Sequence, residues 1–338
     1  MTETHPFLSY VVIGLNEAEH LEACLRSALE ASWPEGAREV VYVDSGSTDG
    51  SLEIARRMGV RVLRLEDPRP NAAKGRNLGW KNAGGELIQF LDGDMELHPE
   101  WPEKGWSFLE GHPGAGLVAG IIREKHPENL FSRLFQLDWG EGGEGPVKVV
   151  GGAALYRRAA LEKSGGFDPG LGGGEEPELC WRLRNLHGLQ AWKLAAPMAA
   201  HDLGMTSLLQ WWRKAVRDGR SFAAVASRFW RTSDPLWRKH LVNLLAVGSS
   251  LPLAILLSLL LFSPLPLLAF LLVLGGLIAR KTIQWWKKTG DASLGLLYAL
   301  HVYLGKFHLA LGAWGFLLKR AFAGPPSPRG VPGPEGEV

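Results

Sequence analysis

The stretch Glu86-Leu-Ile-Gln-Phe-Leu91 runs straight into Asp92-Gly93-Asp94, so a mainly apolar run ends in two carboxylates one residue apart. Its length and apolar content suit a buried strand. An Asp-Gly pair is ordinary turn chemistry, and the acids acquire meaning only from their place in a fold. The residues upstream supply that place. Tyr10-Val-Val-Ile13 reads as a strand, followed by a helix with Leu21, Leu25, Ala28 and Leu29 on one face. Glu39-Val-Val-Tyr-Val43 repeats the strand signal and ends in Asp44-Ser-Gly-Ser-Thr-Asp-Gly50. A second helical stripe follows in Leu52, Ala55 and Met58, closed by Gly59. Val60 to Leu65 reads as a third strand and Asn71 to Ala83 as a third helix.

The resulting order, β-α-β-α-β-α-β, predicts an α/β fold with a mostly parallel sheet flanked by helices. In such sheets ligands gather beyond the carboxyl ends of the strands. The polar turns at Asn16, Asp44 and Asp92 all fall at those ends.

Composition narrows the partners. The chain has 338 residues and a formal charge of +2 from 37 basic and 35 acidic residues, which gives no global reason to expect nucleic acid. Cys24 and Cys180 are its only cysteines, too few for a disulfide framework, so a reducing compartment is the expected setting. The apolar stretch Phe7 to Leu15 lacks a basic leader and reads as a strand rather than a signal peptide, which keeps the amino-terminal part in the cytoplasm.

Beyond Glu100 the pattern loosens. Gly116 to Ile122 and Lys148 to Tyr156 read as two more strands, separated by the glycine-rich Gly140 to Gly145. Gly170 to Gly174 forms a loop before a helix that opens with Glu175-Glu176-Pro177-Glu178, a composition suited to a helix amino end. The first domain is expected to span 1–205. From 206 to 240, Trp211, Trp212, Arg213, Arg217, Arg220, Trp230 and Arg231 interleave aromatic and positive side chains, as interfacial anchors do. Leu241 to Phe262 carries no charge over 22 positions, enough for a bilayer span. Residues 264–279 complete a helical hairpin, with basic residues before the first run and after the second placing both ends on the cytoplasmic side. A third helix, 293–319, holds Lys306 and His308 at its middle and is expected to lie at the interface or pack in the bundle rather than cross. The tail 324–338, rich in Pro and Gly, is expected to be disordered.

Several residue groups suggest chemistry. Two carboxylates at a strand end, together with phosphate oxygens, suit Mg²⁺ or Mn²⁺. Asp44 and Ser45 are placed to hydrogen-bond a base or ribose, while Ser47, Thr48 or Asp49 would cap the next helix. Lys74, Arg76 and Asn77 offer two cations and an amide, with phosphate contact for Arg76 weighed against ordinary helix-surface charge.

Four segments, Val11-Val-Ile-Gly-Leu-Asn16-Glu17, Val43-Asp44-Ser-Gly-Ser-Thr-Asp49, Arg76-Asn77-Leu-Gly79 and Phe90-Leu-Asp92-Gly-Asp94, resemble in order and spacing the family-2 glycosyltransferases with their GT-A fold. Gly151-Gly152, Gly165-Gly-Phe-Asp168 and Glu175-Glu176-Pro-Glu178-Leu-Cys-Trp-Arg182 extend the resemblance on the acceptor side. It implies that Leu15, Asn16, Glu17 and Asp44 hold the nucleotide base, and that Asp92 and Asp94 around Gly93 bridge ribose, metal and diphosphate. The family's Glu-Asp pair supplies a general base, and here Glu176 stands in the Asp place with Glu175 beside it. His201 falls where many such enzymes put a further metal ligand or diphosphate contact. Gln210 and Arg213 partly match a Gln-x-x-Arg-Trp motif of processive synthases, with Lys214 in the Trp place.

The expected activity is inverting transfer of a sugar from a nucleotide-diphosphate donor to a membrane-proximal, lipid-linked or glycan acceptor, assisted by Mg²⁺ or Mn²⁺. Nucleotidyl transfer and a non-catalytic nucleotide-sugar-binding membrane scaffold are the rival readings. The first lacks its glycine- and basic-rich triphosphate loop near the amino terminus, and the second predicts donor binding without turnover.

Overall fold

The computed structural model describes residues 5–139 and 143–323. The chain divides into two compact units, Met1–Glu128 with Trp139–Gly204, and Asn129–Asp138 with Met205–Val338.

The first unit is built on one mixed sheet. Its strands are β1 (Leu8–Gly14), β2 (Arg38–Asp44), β3 (Arg61–Arg64), β4 (Leu87–Asp92), β5 (Met95–Leu97), β6 (Ala115–Glu124), β7 (Gly145–Val147), β8 (Ala154–Arg157) and β9 (Gln190–His201), in the order β3-β2-β1-β4-β8-β6-β9-β5 with β7 on β9. Strands β1, β2, β3, β4, β6 and β9 run one way and β5, β7 and β8 the other, so the sheet is mostly parallel. The helices of this unit are α1 (Leu21–Leu29), α2 (Ser51–Arg57), α3 (Ala72–Asn82), α4 (Trp101–Gly111), α6 (Arg158–Ser164) and α7 (Glu175–His187). The helix α5 (Leu130–Trp139) falls almost wholly in the second unit, an excursion that a single boundary near 205 does not anticipate.

Strand β1 shows why the sheet forms. Six of its seven residues are buried, as a strand packed on both faces requires, and it pairs in parallel with β2 on one side and β4 on the other. The registers pair Gly14 with Asp44 and Ile13 with Asp92. The carboxyl ends of three adjacent parallel strands are therefore level, and Asp44 and Asp92 flank the end of β1 from either side.

The carboxyl-terminal half of the sheet departs from expectation. The strand expected over Lys148 to Tyr156 is confined to Ala154–Arg157, with the separate short β7 ahead of it. Strands β5 and β9 and helix α4 carry no clear signal in the sequence. Strand β9 contains Pro197 among alanines, and the register shift around Ile121↔Pro197 lets β6 tolerate a residue that donates no ladder hydrogen bond. Part of the glycine-rich separator, 140–142, lies outside the described residues, as does the tail expected over 324–338.

The second unit contains α5, α8 (Leu208–Arg228), α9 (Arg238–Leu260), α10 (Leu265–Thr289) and α11 (Ala292–Ala323). Helices α9, α10 and α11 are each long and apolar enough to cross a membrane. The second of these runs ten residues past Ala279, with the good helix formers Arg280, Lys281, Gln284, Lys287 and Lys288 in that extension, and it ends at Gly290 with φ 75°. The third, expected over 293–319 to lie at the interface or pack in the bundle, is one continuous helix of 32 residues whose length and composition also suit a span. Lys306, which motivated that expectation, donates from Nζ to Asn243 Oδ1 of α9 at 3.0 Å. Helix α8 lies against α11 at glycines: a Cβ on Gly219 would fall 1.9 Å from the Leu309 carbonyl oxygen.

Candidate active site

Two loops at the ends of β1 and β2 are laced together. Asn16 adopts a left-handed conformation with φ 59°. Its backbone N–H donates to Ser47 Oγ at 2.9 Å, and its Oδ1 accepts from the Thr48 N–H at 2.8 Å. The next two N–H groups, of Glu17 and Ala18, donate to Ser51 Oγ at 3.0 Å and Asp49 Oδ2 at 2.9 Å. Asp44 is buried, and its Oδ2 accepts from the N–H groups of Gly46 at 3.0 Å and Ser47 at 3.2 Å, an Asx turn that shapes the loop. Ser45 is anchored by its N–H on the Gly14 carbonyl, and Leu15 is exposed beside it. The walls are thus rigid, while Asn16 and Leu15 face solvent.

The acidic turn stands next to this frame, with the Gly93 N–H donating to the Ile13 carbonyl at 2.9 Å. From there the chain enters β5, whose register with β9 pairs Met95 with His201, while β6 pairs Glu124 with His201. That pairing assembles a triad distant in sequence. His201 Nε2 lies 3.4 Å from Asp94 Oδ2, and its Nδ1 is bonded to Glu124 Oε1. Burial pulls the imidazole pKa down, but Asp94 and Glu124 outweigh it and hold the ring at about 9. Glu17, half-buried near Asp94 and Asp92, is pushed up to about 7 by burial and then by those carboxylates.

The third side of the site is the amino end of α7, entered through Gly174 at φ 83°. Glu175 and Glu176 are both buried there, and both contact Arg76 of α3: Nη1 lies 2.7 Å from Glu175 Oε1 and 2.9 Å from Glu176 Oε1. Nη2 donates to Asp92 Oδ1 at 2.8 Å. Burial raises the Glu176 carboxyl to about 7 against the opposing pull of Arg76. Gly152 closes this corner, since a Cβ there would come within 2.7 Å of both Arg76 Nη2 and Asp92 Oδ2. Gly151 beside it is exposed, with open space where its Cβ would stand.

Not every expected donor contact faces the site freely. Arg76 is only 2% exposed and faces three carboxylates, so it is not the ordinary helix-surface charge weighed against a phosphate contact. Lys74 Nζ is held by Asp67 Oδ1 at 2.7 Å and the Arg69 carbonyl at 2.8 Å. Asn77 clamps the loop before α7, accepting from the Phe167 N–H at 3.0 Å and donating to its carbonyl at 2.7 Å. Gln210 forms the capping box of α8 with Ser207, and Arg213 is exposed on that helix; both belong to the second unit. Glu124 is the residue that motif reading missed. Its signal is positional, an acid closing a strand as Asp44 and Asp92 do.

The fit to a divalent cation rests on Asp94. Its Oδ1 is buried without a hydrogen-bond partner, a cost that a cation would remove. Carboxylates at Glu17, Asp92, Asp94, Glu124, Glu175 and Glu176 also outnumber the cations Arg76 and His201. Among the described residues no three such ligands converge on one point, so a cation here would complete its shell with diphosphate oxygens and water.

A mostly parallel sheet with acids at the ends of β2, β4 and β6, and a second acidic pair at a facing helix terminus, is an α/β fold of the GT-A class. Residues 9–165 match the family model of glycosyl transferase family 2, and the first unit is a member of that family. Glycosyltransferase AglE of Haloferax volcanii is 36% identical over 131 residues, 38% of this chain and 43% of that protein. The succinoglycan biosynthesis protein ExoA of Rhizobium meliloti is 30% identical over 190 residues, 51% of this chain and 56% of that protein. The chain thus spans about half the length of these relatives. Among solved structures, the mannosyltransferase PcManGT of Pyrobaculum calidifontis, in complex with GDP-Man and Mn²⁺, superposes with a TM-score of 0.68 at 20% identity, covering 94% of this chain and 89% of that one.

Proposed function

We propose that the protein is an inverting glycosyltransferase that moves a sugar from a nucleotide-diphosphate donor to a lipid-linked or glycan acceptor at the membrane, in the synthesis of cell-envelope glycan or glycolipid. The observation that carries this reading is the meeting of Asp92 and Glu176 on one guanidinium, which sets a donor-side acid next to a carboxylate able to act as base. Leu15, Asn16, Glu17, Asp44 and Ser45 would line the nucleotide. Asp94, with Asp92 alongside and with His201 once the ion displaces its Nε2 proton, would hold Mg²⁺ or Mn²⁺, which supplies positive charge against the diphosphate. The metal-loaded mannosyltransferase of the same fold motivates that assignment.

Glu176 takes the proton of the acceptor hydroxyl as that oxygen bonds to the anomeric carbon. The bond from carbon to diphosphate oxygen breaks on the opposite face, and the nucleoside diphosphate leaves. A carboxyl raised to about 7 is half ionised near neutrality and matched to this task. Helices α9 to α11 would anchor the chain in the cytoplasmic membrane with the first unit in the cytoplasm, which concentrates enzyme and lipid-linked acceptor on one surface.

The test is a thermal-shift screen of UDP- and GDP-sugars with and without Mn²⁺ on the detergent-solubilised chain, since a bound donor stabilises the native state as RT ln(1 + [L]/Kd). Transfer of the retained sugar to polyprenyl phosphate is then assayed. Asp94→Ala and chelation are both expected to abolish transfer. Full turnover in the presence of chelator would remove the metal from this reading.

A further inference from the structure

We infer that Arg76 is a positioning residue, which holds the base carboxylate of Glu176 in register with the donor-side acid Asp92. This rests on the transferase reading above.

One planar group makes all three contacts. Nη1 faces the pair Glu175 and Glu176, and Nη2 faces Asp92. Because the fork is rigid, the separation between the base and the donor acid is set by the guanidinium itself. The two glutamates divide the work by exposure. The Glu175 side chain is 4% exposed and that of Glu176 is 12% exposed, so Glu175 serves as counter-charge and Glu176 keeps an edge toward the site. Asp92, with a third of its side chain exposed, is the end of the bridge that a donor would meet.

The surroundings allow no slack. Phe167 lies under the guanidinium with 5.7 Å to the ring centroid, and Asn77 holds the backbone of that same phenylalanine. A Cβ on Gly152 would fall 2.7 Å from both Nη2 and Asp92 Oδ2, which leaves no room for a methyl group beside the bridge. Nε is buried with no partner, so the group is held by its two terminal nitrogens, the ones that reach the acids. Without the cation, three carboxylates would crowd one dry corner, and like-charge repulsion would turn at least one of them away or leave it protonated.

Two variants test this independently. Arg76→Lys keeps the charge but supplies one point instead of a fork. Gly152→Ala keeps every charged group but forces a methyl against Nη2 and Asp92. For each, kcat and donor KM are measured with the nucleotide sugar the wild type turns over, together with Kd for UDP and GDP in Mn²⁺ by calorimetry. Arg76→Lys is expected to lower kcat about 100-fold and Gly152→Ala about 10-fold, as misplaced reacting groups do, with donor KM and nucleotide Kd within about threefold of wild type. Gly152→Ala decides alone if Arg76→Lys does not fold.

A fall in melting temperature with kcat of the folded enzyme intact would mean a purely structural arginine and overturn the inference. So would a proportional loss of nucleotide binding, which would make Arg76 a donor contact. Glu176→Gln separates the two levels. If it retains turnover, the base assignment falls and this inference with it; if it is inactive while both other variants stay fully active, only the role of Arg76 falls. A wild-type chain that turns over no donor overturns both.

Discussion

At the residue scale, Glu176 joins function to instability. Its carboxyl is raised from an ordinary 4.5 to about 7 because burial outweighs the attraction of Arg76. The folded state therefore holds this proton where the unfolded chain has released it, so the group's contribution to stability is full below about pH 4.5 and is lost as pH rises toward 7. In the role proposed for Glu176 activity runs the other way, because a base must be ionised. Transfer is expected to rise with a one-proton limb near pH 7, read from kcat between pH 5.5 and 8.5. Glu176→Gln is expected to abolish transfer while raising the melting temperature at pH 8 and leaving it unchanged at pH 4. A variant less stable than wild type at pH 8 would contradict the account. The acid pair Asp92 and Asp94 was legible from sequence because its members are neighbours at the end of an apolar run. The environment of Arg76 was not, because its partners lie 16 and 99 positions away, and a helix-borne arginine reads alike whether it is buried or solvated.

At the element scale, α3 is the part that brings these distant residues together. It starts at Asn71, whose Oδ1 accepts from the Lys74 N–H at 2.9 Å while Nδ2 donates to the Pro169 carbonyl at 2.9 Å. One side chain thus caps the helix and ties it to the loop before α7. Asn71→Ala is expected to cost about 1–2 kcal/mol in urea unfolding, the cap plus a part-buried hydrogen bond. Asn71→Asp keeps the acceptor and should recover roughly half of that. The first four strands could be read because they are short apolar runs bounded by turn residues, and the first two helices because each carries an apolar stripe at helical spacing. Strand β9 could not: Pro197 and a run of alanines weaken its β signal, and it exists because β5, β6 and β7 all pair with it. His201 was noticed by its place in a resemblance, whereas Glu124 became visible only once β6 and β9 were aligned.

At the scale of the whole molecule, the second unit leaves far more apolar surface in water than a soluble domain of its size would. Phe262, at the turn between α9 and α10, is 98% exposed, and Leu253, Leu259, Leu260, Leu261, Leu265 and Leu272 around it are exposed as well. Exposed apolar residues in such number suit helices long and apolar enough to cross a membrane. The basic residues sit away from those apolar residues, at Arg238 and Lys239 in the first turn of α9 and at Arg280, Lys281, Lys287 and Lys288 in the second half of α10. If α9 and α10 cross as a hairpin, the turn faces outward and both roots stay on the cytoplasmic side. Cysteine labelling decides this with little background, because Cys24 and Cys180 are both buried. In bacterial spheroplasts, an impermeant maleimide is expected to label Ser263→Cys in the turn and to leave Glu162→Cys on the exposed side of α6 unlabelled until the membrane is opened. Labelling of Glu162→Cys in intact spheroplasts would invert the topology. Protection of both positions until lysis would mean that the hairpin enters the bilayer without reaching the far side, a result that the 15 uncharged residues of α10 before Arg280 make worth distinguishing from a full crossing.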